Sequence, residues 1–162
     1  MSIIYGAVDF HIQPELRGNE VYKNDHTVLC CNAERDVFLH RDGYAVLTDS
    51  EKCADAILDL YIASGEKLPE QLMPPFAFLI YDPALETVFF ACDAEGEKHF
   101  FYTFEGSTLL FSNDISALLV HPFNNSGYIH ADKAYKNICE LSPGWYGSFS
   151  EKGIKLRRFC RA

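Results

Sequence analysis

The sequence predicts an α+β protein: mostly antiparallel strands forming two packed sheets, with helices on the outside. Three observations predict it. Short apolar, β-branched and aromatic runs alternate with turn residues along most of the chain, as strands do. Two of those runs, Phe76–Tyr81 and Thr87–Cys92, are apolar on both faces, so both faces need cover. One segment, beginning at Ala54, switches to a helical period.

The first strand is Ile3 to Phe10. His11 to Lys23 is polar, holds Pro14 and Gly18, and reads as a loop. Thr27–Cys31 is a short buried strand. Asp36–His40 is a weaker one, followed by an Arg41-Asp42-Gly43 turn and the strand Tyr44–Leu47. Ala54, Ile57, Leu58, Tyr61 and Ile62 then recur at i, i+3, i+4, i+7, i+8, one face of a helix. Thr48 and Glu51 have capping-box spacing at its start, and Gly65 is a natural stop. Pro74-Pro75 leads into the first doubly apolar strand, Asp82-Pro83 turns the chain, and the second returns. Phe100–Phe104, a Glu105-Gly106 turn and Leu109–Phe111 form a hairpin whose aromatic run reads as core between the sheets. Asn113 or Asp114 caps a short helix, Ile115–Val120, stopped by Pro122. Asn124–Gly127 is a flexible loop, and His130–Leu141 a further short helix or turn. Trp145–Phe149, a Lys152-Gly153 turn and Ile154–Phe159 close the chain as a hairpin.

At 162 residues the chain fits one domain, 1–162, with room for a real core. No apolar run reaches the length of a membrane helix, and the N-terminal run is too short, without a basic flank, for a signal peptide. A cytoplasmic location is expected. The net charge of −9, relieved only by the Lys155, Arg157, Arg158 group, disfavours nucleic acid and anionic membranes as partners. The six cysteines (30, 31, 53, 92, 139, 160) include no C-x-x-C pair, which excludes the common zinc and redox motifs. They read as small buried hydrophobes in a reducing compartment. The histidines are scattered, none in an i, i+4 helical pair, so no metal site and no cofactor are assigned.

The opening Met-Ser-Ile-Ile-Tyr-Gly carries the sharpest chemical signal. Trimming of the initiator methionine is favoured by a small second residue. Ser2 would then carry the free α-amine at the head of a buried strand, as an N-terminal nucleophile requires. The same serine is more simply explained as a small residue that permits trimming.

Four stretches carry a family resemblance. They are the opening Met-Ser-Ile-Ile-Tyr-Gly; Ala56–Gly65 with Leu72-Met73-Pro74-Pro75-Phe76-Ala77-Phe78; Cys92-Asp93-Ala94-Glu95-Gly96 with Phe111–Leu118; and Ile138–Gly144. In order and spacing they resemble the N-terminal glutaminase domain of asparagine synthetase, a class II (N-terminal nucleophile) glutamine amidotransferase. The resemblance implies a four-layer αββα sandwich, the N-terminal nucleophile hydrolase fold, in agreement with the two sheets read from the residues.

It also implies a site. The family's nucleophile is a cysteine after the methionine; here the position holds Ser2, whose hydroxyl is far less acidic and needs a good base. The family's oxyanion hole is an Asn-Gly after a strand; the match here is Asn32-Ala33. Losing one such donor costs roughly 10²–10³ in rate. The arginine that holds the glutamine α-carboxylate lies in an Arg-Leu-Ser-Ile segment that this chain lacks; Arg17, Arg35 and Arg41 are unplaced. The aspartate for the substrate amine lies in Ser-Asp-x-Glu at the helix start. An ungapped count puts Cys53 there, with Asp49 and Asp55 nearby but out of register, and Asp55 also suits the helix dipole. The family's Arg-Asp is Cys92-Asp93, and its proline before Leu-Tyr is His99.

The expectation is a degenerate domain: framework kept, glutamine hydrolysis lost. It would support an ATP-dependent amide-forming synthetase, in cis or as a partner, whose Ser-Gly-Gly-x-Asp-Ser loop does not occur in this sequence. The alternative is an active N-terminal serine amidohydrolase using Ser2 on glutamine or another amide. A third reading is a small-molecule or peptide module reusing the old pocket.

Overall fold

The computed structural model describes residues 3–16, 19–32, 37–119 and 138–160. Its strands are β1 (Ile4–Val8), β2 (Glu20–Lys23), β3 (Thr27–Cys31), β4 (Phe38–Arg41), β5 (Tyr44–Ser50), β6 (Phe76–Asp82), β7 (Thr87–Cys92), β8 (Phe101–Glu105), β9 (Thr108–Ser112), β10 (Cys139–Glu140), β11 (Trp145–Ser150) and β12 (Gly153–Arg158). Helices α1 (Ala54–Ser64), α2 (Leu68–Gln71) and α3 (Ile115–Leu119) complete it.

The strands form two six-stranded sheets, ordered β10-β8-β9-β1-β3-β2 and β12-β11-β7-β6-β5-β4. Neighbours pair antiparallel. Period-two alternation sorts side chains between layers. Ala77, Leu79 and Tyr81 of β6 and Val88, Phe90 and Cys92 of β7 face the first sheet, meeting Ile4, Val8, Leu29, Leu109 and Phe111. The alternate residues Phe76, Phe78, Ile80, Phe89 and Ala91 face outward onto Ile57, Leu58 and Tyr61 of α1 and Leu68 of α2. On the far side, Leu118 of α3 covers Ala7 and Leu110. The layers are helix, sheet, sheet, helix, so the double apolarity of β6 and β7 has the cause the sequence suggested.

Three expectations are corrected. Residues 20–23 are not loop but edge strand β2, paired to β3 through an irregular register. Its exposed and half-buried residues gave no buried run to read. Thr48 does not cap α1: it lies within β5, and the N-cap is Cys53, which makes no side-chain capping bond. Within His130–Leu141, residues 139–140 are strand β10 rather than helix; Asn124–Gly127, Pro122 and most of 130–141 lie outside the described residues. The turn and stop signals match: Asp42 and Gly43 carry φ of 54° and 85°, and Gly65 ends α1 at φ 58°.

Candidate functional site

β1 lies inside the first sheet, flanked by β9 and β3, and its N-terminal end is gripped from both sides. Beyond the last β1–β3 pair, Asn32 donates its backbone N–H to the Ile3 carbonyl at 3.2 Å. Its side-chain Oδ1 accepts from the Ile3 N–H at 2.8 Å. Beyond the last β1–β9 pair, Asn113 does the same to Ile4, donating to its carbonyl at 3.2 Å and accepting its N–H at 2.9 Å. The Ser112 hydroxyl adds a bond to the Ile4 carbonyl at 2.8 Å. Each asparagine thus substitutes a side-chain oxygen for a ladder carbonyl, so the backbone at the head of the strand stays satisfied.

The second clasp reaches across the sandwich. Asn113 Nδ2 donates to Asp49 Oδ2 at 2.8 Å. Asp49 continues the inward-facing series Ala45, Leu47 on β5, which turns its carboxylate into the space between the sheets. Its other oxygen meets Lys98 Nζ at 3.1 Å. Lys98 is itself anchored at its backbone. The buried Asp93 carboxylate accepts the N–H groups of Phe76, Glu95, Glu97 and Lys98 at 3.0–3.1 Å. One polar chain therefore runs from the loop after β7, through Lys98, Asp49 and Asn113, to the start of β1.

Ser2, Ala33, Arg17 and Arg35 lie outside the described residues. Asn32 sits at the head of β1, as given above. Cys53 is the half-buried N-cap of α1 with extended backbone. Asp55 is on the exposed side of α1, where its carboxylate takes one arm of Arg41; Asp59 takes the other at 2.6 Å. His99 also points to the surface, its Nδ1 2.7 Å from Glu140 Oε1 and its ring stacked on Phe101. Asn113 and Lys98 carry no site signal in the sequence, and Asp49 reads there only as an out-of-register neighbour of the amine position. A signal for Asp49 is present in the sequence: Thr48-Asp49-Ser50-Glu51 has the hydroxyl-Asp-x-Glu pattern, four positions before the ungapped count.

Among the described residues no cluster of metal-ligating side chains forms. Burial pushes the Cys30 thiol up to about 11 and the Cys92 thiol up to about 12, so both stay protonated and inert. A cleft of about 360 Å³ opens beside Phe10, His26 and Ser150. Phe10 follows the other end of β1, so the cleft is remote from the asparagine clasps.

Residues 35–160 match the model of the glutamine amidotransferase domain family. A curated relative, asparagine synthetase 3 of Bacillus subtilis (strain 168), described as glutamine-hydrolyzing, is 31% identical over 120 residues. That match takes in 65% of this chain and only 20% of the relative. Among solved structures, the glutamine phosphoribosylpyrophosphate amidotransferase from B. subtilis superposes with a TM-score of 0.62 at 13% identity, over 99% of this chain and 43% of that one. A structure described as the allosteric regulatory enzyme of purine biosynthesis gives 0.59 at 12% identity, with the same coverage. At such identities the two structures speak for the fold alone.

Proposed function

The chain belongs to the glutamine amidotransferase domain family, and on that premise we propose that it keeps the frame of a glutaminase without conventional glutamine hydrolysis. Its role is to support an ATP-dependent amide-forming synthetase, in cis or as a separate partner. The carrying observation is at position 2, where serine stands for the family's nucleophilic cysteine, and alanine at position 33, in place of the oxyanion-hole glycine, points the same way. Near the helix start, the Asp55 carboxylate is taken up by Arg41 at the surface. That the chain spans only 20% of its synthetase relative supports a separate amide-forming part. The cysteines of the described structure are unpaired, in keeping with a reducing, cytoplasmic compartment.

The test is glutamate release from L-glutamine by the purified protein. The expected rate equals that of Ser2→Ala, and Ser2→Cys stays equally silent. Robust release that Ser2→Ala abolishes sinks the proposal.

Asp49 favours a second reading. Its carboxylate lies between the sheets, one asparagine away from the head of β1. In this reading Asp49 on the strand grips the amine of an amino-acid amide, and the Ser2 hydroxyl attacks the carboxamide carbon: the C–N bond breaks, the hydroxyl proton leaves with the nitrogen as ammonia, and water hydrolyses the resulting ester. Intact-mass analysis after treatment with a serine-directed electrophile decides: a trimmed chain acylated at Ser2 supports it, and a retained Met1 ends it.

A further inference from the structure

We propose that Lys98 is a latch on Asp49. Its ammonium holds the place on the carboxylate that the α-ammonium of an amino-acid ligand takes, and the ligand binds by displacing it. The inference rests on the reading in which Asp49 faces the ligand.

The two oxygens of Asp49 are held in different ways. Oδ2 accepts from Asn113 Nδ2, and Asn113 is locked to both the N–H and the carbonyl of Ile4 inside the sheet. That partner is neutral, buried and built into the fold. Oδ1 is held by Lys98, a primary ammonium on a long flexible stem. The Asp49 side chain is 10% exposed and that of Lys98 29%, so the lysine is the solvent-facing end of the pair. Its backbone is pinned by Asp93, while a four-carbon lysine stem has rotatable bonds that let the ammonium be redirected. An uncompensated buried carboxylate is costly, so an empty site gains from an internal cation. The exchangeable partner is chemically the same group as an amino acid's α-ammonium, so one replaces the other without leaving the carboxylate bare. A neutral or deaminated amide has no such exchange to make.

The experiment is calorimetric titration of the full chain with L-glutamine and with its deamino analogue, glutaramate. Lys98→Met keeps the apolar stem and removes the competitor. It should bind L-glutamine about tenfold more tightly than the parent, with glutaramate affinity unchanged between the two. Asp49→Asn should lose L-glutamine. If Asp49→Asn binds L-glutamine as the parent does, the grip reading fails and the latch with it. If Asp49→Asn loses the ligand while Lys98→Met is unchanged or weaker, the grip stands and the latch is overturned. If no variant binds L-glutamine, both are overturned. Should Asp49→Asn fail to fold, the Lys98→Met comparison of the two ligands decides alone: equal gains for both refute displacement of an ammonium.

Discussion

Three buried carboxylates show how one residue type takes different work from its partners. Asp93 is surrounded by backbone N–H groups and serves as a fixed hub for the loop that carries Lys98. Asp49 is held by side chains and has one exchangeable partner. Asp9, at the other end of β1, is a fold clamp. Burial pushes its carboxyl up, but hydrogen bonds from Ser107, the His11 N–H, Thr108 and the Ile12 N–H outweigh this and hold it below the usual value. The sign follows by linkage. A carboxyl that loses its proton more readily when folded adds stability above the unfolded value. That stability disappears as pH falls through the depressed one. Asp9→Asn should therefore flatten the acid limb of the stability–pH curve below about pH 4. It should cost about 1–3 kcal/mol at neutral pH through poorer hydrogen bonds. Urea melts of both proteins across pH 2–7 check it, and an unchanged acid limb would contradict the assignment.

At the scale of elements, α1 owes its position to one face. Ile57 and Leu58 are fully buried against the second sheet, whereas Ile62, which continues the same spacing, is 54% exposed. Leu58→Ala should cost about 3 kcal/mol, and Ile62→Ala less than about 0.5 kcal/mol, measured by denaturant midpoint. The contrast marks what was legible in the sequence. Strands with a buried run, β3, β6 and β7, could be read almost to the residue because burial of both faces leaves an uninterrupted apolar signature. β2 could not, because an irregularly paired edge strand needs no such run. The site was legible only in part. Asn32 follows a readable strand, but the Asp49–Asn113 bond joins residues 64 apart, and no local pattern announces a partner at that distance. The Asp49 pattern was obscured by an ungapped count, since local periodicity fixes the helix but not the length of chain that precedes it.

For the whole molecule, the two sheets are held at their separation by more than the polar chain. A stack of three rings crosses the sandwich. Phe90 of β7 lies 4.8 Å from Phe100 at an interplanar angle of 5°, and Phe100 lies 5.6 Å from Phe111 of β9 at 4°. A glycine receives each end. A Cβ at Gly147 would stand 2.5 Å from the Phe90 ring; one at Gly6 would stand 2.7 Å from the Phe111 ring and 2.5 Å from the Val28 carbonyl. The glycines lie on opposite sheets, so an added methyl at either end pushes the stack toward the other. Gly6→Ala and Gly147→Ala should each destabilise by about 1–3 kcal/mol. Gly6→Ala should be the worse, because a backbone carbonyl cannot swing aside as a ring edge can. Their effects should also fail to add, with a coupling of at least about 0.5 kcal/mol in a double-mutant cycle. Independent pockets in a compliant core would give additive losses. Coupling between substitutions on different sheets requires that the rings transmit displacement as a close-packed column. Equilibrium unfolding of the two single variants and the double variant distinguishes the two.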